Sequence, residues 1–193
     1  GSAYGGGITL VRSNPWIKYV DIHGNVAGER GGGISLYKSS PTIEYALISD
    51  NISYDGGGGI YSSYFSNPII TDVIISSNLS YSSSGGMWMF NSNPIINNVQ
   101  IINNRAFHNG GGMFIEFSSP IITDVTIKGN ISDGLGGGIF IYYLHKEMLS
   151  DINRLLIVNN YSEGHGGGVF VSALADIVYF YNSTIAANTV SSG

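Results

Sequence analysis

Gly57-Gly58-Gly59-Ile60 is one copy of a pattern, two or three glycines followed by an aliphatic residue, that returns along the whole chain. Its first position falls at Gly5, Gly31, Gly57, Ser84, Gly110, Gly136 and Gly166, giving spacings of 26, 26, 27, 26, 26 and 30 residues. A second marker keeps the same phase. It is an asparagine three residues after an isoleucine, at Ile22/Asn25, Ile48/Asn51, Ile75/Asn78, Ile101/Asn104, Ile127/Asn130, Ile157/Asn160 and Ile185/Asn188. All five prolines (Pro15, Pro41, Pro68, Pro94, Pro120) also share one phase, each preceded by Ser or Asn. Self-similarity at a period of roughly 20–50 residues identifies a solenoid, a propeller or an array.

The interior of one copy decides among these. Between Gly110 and Asn130, Met113 and Ile115 alternate with Phe114 and Glu116, Pro120 interrupts, and Ile122, Val125 and Ile127 follow. Alternation with period two marks strand, and no segment holds apolar residues at helical spacing for three turns. Each copy therefore supplies a strand after the glycines, a bend at the proline, a second strand ending at Ile and a turn at Asn. A short third segment follows, as at Val26-Ala27, Ile52-Ser53 and Ile131-Ser132. Three strands in about 26 residues make one coil of a parallel β-helix, whereas a propeller blade needs four antiparallel strands in about 40–50 residues. The expectation is an all-β solenoid of seven coils over residues 5–193, with three parallel sheets.

Coils stacked ~4.8 Å apart put equivalent residues on top of one another. The first strand then sends Ile8, Ile34, Ile60, Met87, Met113, Ile139 and Val169 inward, and the second sends Val20, Ala46, Val73, Val99, Val125 and Leu155 beside the Ile row. The glycines serve a left-handed turn and close approach between coils. A phosphate cradle is excluded because a strand, not a helix, follows them. Asn25, Asn51, Asn78, Asn104, Asn130, Asn160 and Asn188 are expected to sit in left-handed geometry and to bond to one another as an amide ladder. Sequons at Asn51, Asn78, Asn130 and Asn160 follow from that repeat.

Composition sets outer bounds. In 193 residues only 11% are charged, the net charge is −5 and the eight Lys and Arg do not cluster, so nucleic acid and anionic lipid are not expected as partners. There are no cysteines to form disulfides or thiolate metal sites. No apolar run approaches the ~18 residues of a membrane-spanning helix. Residues 1–4 read as a lead-in, Gly1-Ser2 as a protease-cleavage scar. The chain stops where another glycine start falls due, the mark of a piece of a longer protein.

The paired motifs Gly-Gly-[Ala/Gly]-[Ile/Met/Val] and [Phe/Ile]-x-x-Asn, once per coil, resemble the repeats of polymorphic outer membrane proteins and of right-handed parallel β-helix proteins with the pectin-lyase-like fold. The resemblance covers residues 5–193. It implies a right-handed coil and a secreted or bacterial surface-displayed protein, often an adhesin-like scaffold. It implies no single activity, since the fold also carries polysaccharide lyases and glycoside hydrolases.

Candidate sites are few. Tyr61, Trp88, Phe114, Phe140 and Phe170 share one outward phase of the first strand, where Thr9 and Ser35 precede them, and Phe90 and Tyr142 flank the row. An exposed aromatic stripe suits sugar rings or another protein, and truncating a binding platform would spare the fold; the alternative is mutual stacking that only stabilises the sheet, whose truncation would lower the melting temperature. The four-residue insertion in the sixth coil places His145, Lys146 and Glu147 on a loop, the place where solenoids carry function. Asp72 and Asp124 share an outward phase two coils apart, loose for paired carboxylates, so no catalytic residue is assigned. Asp55-Gly56 and Asp133-Gly134 offer carboxylates to Ca²⁺ or simply make turns. The four histidines occupy different phases and form no metal triad. The expected function is a non-catalytic scaffold or module binding polysaccharide or protein. The alternative is a polysaccharide lyase or glycoside hydrolase whose catalytic coils are missing from this sequence or use the sixth-coil loop. Open solenoid ends and flat sheets leave edges and faces for end-to-end or side-by-side self-association.

Overall fold

A computed structural model describes residues 4–142, 150–172 and 178–191. Among these there is no helix, and all named strands pair in parallel. Three sheets of seven, ten and seven described strands run the length of a right-handed β-solenoid. The first sheet stacks the strand after each glycine turn, from Ile8–Val11 to Val169–Val171, and the second stacks the strand after each proline corner. The third is built of two-residue strands such as Ile52–Ser53 and Ile131–Ser132, the segments expected from sequence.

Register is continuous: Ile8, Ile34, Ile60, Met87, Met113, Ile139 and Val169 face one another up the first sheet. Together with the second-strand rows they form one core, in which Ile34, Ile60, Met87, Met113 and Ile139 are fully buried. The second strand bends once. Tyr19, Tyr45, Asp72, Asn98, Asp124 and Arg154 all have φ between 50° and 57° at that bend. The kink skips a pairing step, so Ile70, Val73 and Ile75 all reach the core of one coil.

The glycine turn meets two demands at once. Gly57 has φ 61°, and Ser84 takes the same left-handed turn at φ 56° without a glycine. Gly58 answers to close approach instead: a Cβ there would lie 2.5 Å from the Gly85 carbonyl oxygen and 2.6 Å from that of Leu79.

The asparagine ladder is complete. The backbone N–H and the Nδ2 of each asparagine both donate to the Oδ1 of the asparagine in the following coil, at 2.9–3.0 Å, from Asn25 through to Asn188. Each Nδ2 from Asn51 onward also donates to the carbonyl of the Ile row one coil back, as Asn78 does to Ile48. The left-handed residue, however, is the one before the ladder: Gly24, Asp50, Ser77, Asn103, Gly129, Asn159 and Ala187. The reason is geometric, since the turn must be made before the amide can point inward along the axis. A second ladder runs up the proline corner, where Ser39 N–H donates to Ser66 Oγ and Asn93 N–H to Asn67 Oδ1.

Asn78 is 1% exposed and each partner it loses would be left buried. Asn78→Ala is therefore expected to destabilise the fold by about 1–3 kcal/mol. Asn188→Ala, at the half-exposed end of the ladder, should cost less. Urea midpoints of the two variants check the order, and an unchanged midpoint for Asn78→Ala would contradict the ladder's energetic role.

Candidate binding face

The outward aromatic row exists, but it is not exposed. Tyr61, Trp88, Phe114 and Phe140 are only 2%, 9%, 6% and 6% accessible and make a second apolar cluster outside the coil, with Phe90, Leu135, Tyr142 and Phe170 packed against it. In-register pairing is the cause. Neighbouring ring centroids lie 5.4, 5.1, 4.8 and 5.7 Å apart up the row, edge-on at Tyr61–Trp88 and stacked or tilted beyond it, so each ring shields its neighbour.

The row's edges are covered by the residues that precede each glycine turn. The Arg30 guanidinium lies 4.9 Å from the Trp88 ring centroid, and Leu135 and His165 pack on the upper rings. Trp88 lies flat on Gly56, where a Cβ would come within 2.3 Å of the ring. Sequence reasoning passed over these covering residues, although their constant position before the glycines was a readable signal.

Glu116 sits beside the row and accepts a hydrogen bond from Trp88 Nε1 at 3.0 Å. Burial pushes its carboxyl above the ordinary glutamate range, against the pull of the Trp88 N–H and of Arg30.

Where the aromatic row stops, a cleft opens. Tyr61 pairs with Ser35, and Ser35 with Thr9, so two small side chains replace rings in the first two coils. A cleft of about 340 Å³ results, floored by Thr9, Ser35 and Ser63 and walled by Tyr4, Arg30, Tyr37, Tyr61 and Tyr64. Arg30 fixes its inner wall, donating from Nε to Asp55 Oδ2 at 2.6 Å and from its terminal nitrogen to Tyr61 Oη at 2.7 Å. Burial pushes the Tyr61 phenol up despite Arg30, so it stays protonated. Tyr37 and Tyr64 form the rim, in contact at 5.1 Å and 37% and 45% exposed.

The remaining candidates are dispersed. Asp72 accepts from Asn98, and Asp124 holds Arg154 at 2.6 and 2.7 Å, so each carboxylate of the bend is engaged by the next coil. Asp55 and Asp133, the carboxylates offered to calcium, are bonded to Arg30 and Arg105. His23, His108 and His165 are exposed and separate. The sixth-coil loop, with His145, Lys146 and Glu147, lies outside the described residues.

Two outcomes are expected from this face. Trp88→Ala with Phe114→Ala should unfold or strongly destabilise the chain, because truncating a buried Phe or Trp costs about 3–5 kcal/mol; thermal melting checks it. Folding raises the Glu116 pKa, so the folded chain binds more protons than the unfolded one above the ordinary carboxylate value. Stability therefore falls as pH rises through that window and levels off above the folded pKa. Glu116→Gln keeps an acceptor for Trp88 and should flatten that slope, as urea midpoints from about pH 4 to about pH 8 would show.

Searches of curated proteins and of solved structures give no match. The model of the right handed beta helix region matches residues 5–190, nearly the whole chain and every coil described above. The chain belongs to the right-handed β-helix family.

Proposed function

We propose that this chain is a non-catalytic β-helix that binds saccharide in the cleft beyond Tyr61, as an adhesin-like or carrier scaffold displayed outside the cell. The observation that supports this reading is the interruption of the aromatic row at Ser35 and Thr9, which leaves a concavity with ring walls and a hydroxyl floor. A pyranose has apolar C–H faces and a rim of hydroxyls. Aromatic walls meet the faces, and fixed polar groups select the rim. Arg30 and Tyr61 are already held in place, so binding would spend little on ordering them. Arg30 is neutralised by Asp55, which favours an uncharged sugar over an acidic one.

A cleft-filling substitution tests the proposal. Ser35→Phe would continue the row by one ring against Tyr61, a contact of the kind worth about 0.5–1.5 kcal/mol. Melting temperature should hold or rise while glycan-array signal falls at least tenfold. A wild-type chain that binds no glycan, or a Ser35→Phe variant that binds as well as wild type, would remove the reading. Release of new reducing ends or unsaturated products would show a catalyst instead.

A further inference from the structure

Resting on the saccharide reading, we infer that Trp16, Tyr19 and Tyr45 form a second, shallower sugar-binding platform on the outer face of the second sheet. These rings are exposed, at 68%, 73% and 49%, Trp16 and Tyr19 being among the most exposed large apolar side chains of the described residues. Trp16 escapes the fate of the buried row because its partner in the next coil is Thr42, followed by Ile69, so no ring stacks over it.

The platform is held rigid. Trp16 Nε1 donates to Glu44 Oε2 at 3.2 Å, Lys18 Nζ lies 3.1 Å from the same oxygen, and Tyr19 stacks on Tyr45 at 5.2 Å and 15°. The nearby Asp72 carboxylate pushes the Tyr45 phenol up, so it keeps its proton. The Lys18 ammonium lies 5.2, 5.1 and 5.2 Å from the centroids of Trp16, Tyr19 and Tyr45. The ring cluster is thus occupied by its own cation, and a cationic ligand has no place there. The Lys18–Glu44 pair cancels in charge while leaving a donor and an acceptor at the ring edges. Ring faces with neutral polar flanks fit the C–H face and hydroxyls of an uncharged pyranose.

The platform adjoins the cleft around the proline corner. Val11 lines the cleft and Trp16 follows five residues later, a chain path of at most about 18 Å. An oligosaccharide could therefore lie across the first coils, with one sugar in the cleft and another on Trp16, rather than along the helix axis.

The two tryptophans of the chain make the test direct. Trp88→Phe leaves Trp16 as the one tryptophan, read by excitation at the red edge where tyrosine does not absorb; labelling the unaltered chain with 5-fluorotryptophan gives a separate ¹⁹F signal for Trp16, assigned with Trp16→Phe, should Trp88→Phe fold poorly. Adding the neutral oligosaccharide chosen from the array should shift Trp16 emission to the blue and shield it from acrylamide. Trp16→Ala should weaken oligosaccharide affinity about tenfold and leave monosaccharide affinity unchanged. If the oligosaccharide saturates the cleft while Trp16 does not respond, the platform is refuted and the cleft stands. If Trp16 responds in Ser35→Phe, the platform binds by itself. If neutral lipid vesicles shift Trp16 and sugars do not, the platform is a membrane contact and the inference fails.

Discussion

Each buried asparagine of the ladder satisfies its amide through the asparagines directly above and below it and the carbonyl of the Ile row one coil back. A slip of one residue would leave several buried polar groups unpaired at every coil, so the ladder locks the stacking register. The rest of the architecture follows from that register. Glycines fall over glycines, which allows the backbone approach at Gly58 and Gly85. Isoleucines fall over isoleucines, and any outward aromatic falls over the next.

In-register stacking also decides where the surface is closed and where it opens. Continuous rings, as from Tyr61 to Phe170, pack on one another and become a second core. A break in a row opens room on the surface beside the ring that borders it. Two such breaks lie in the first two coils: Ser35 below Tyr61, and Thr42 above Trp16. A sugar would engage these interruptions and not the stripe itself.

Charge is handled in the same coil-to-coil manner. Lys18 pairs with Glu44, Arg30 with Asp55, Arg105 with Asp133 and Arg154 with Asp124, each with a neighbouring coil. Exposed pairs of this kind contribute little to stability. Their consequence is chemical, because each carboxylate in them is engaged by a cation.

The repeat period, the three strands per coil, the inward rows and the asparagine ladder were legible in the sequence, because each depends on residues at one fixed phase. The Ser-Pro corner ladder and the covering residues Arg30, Leu135 and His165 were equally periodic, but their partners lie a full coil away and only stacking shows what they touch. The left-handed residue was misplaced by one, since Asn tolerates that geometry but is needed for the amide contact instead. Exposure is what the sequence could not supply. Alternation says that Trp88 and Phe114 point away from the core, and only the tertiary structure determines that neighbouring rings and turns bury them there. The cleft is likewise a property of three coils together. Ser35 alone is an unremarkable strand serine, and it becomes the floor of a cleft because Tyr61 stands one coil above it and Arg30 clamps the wall.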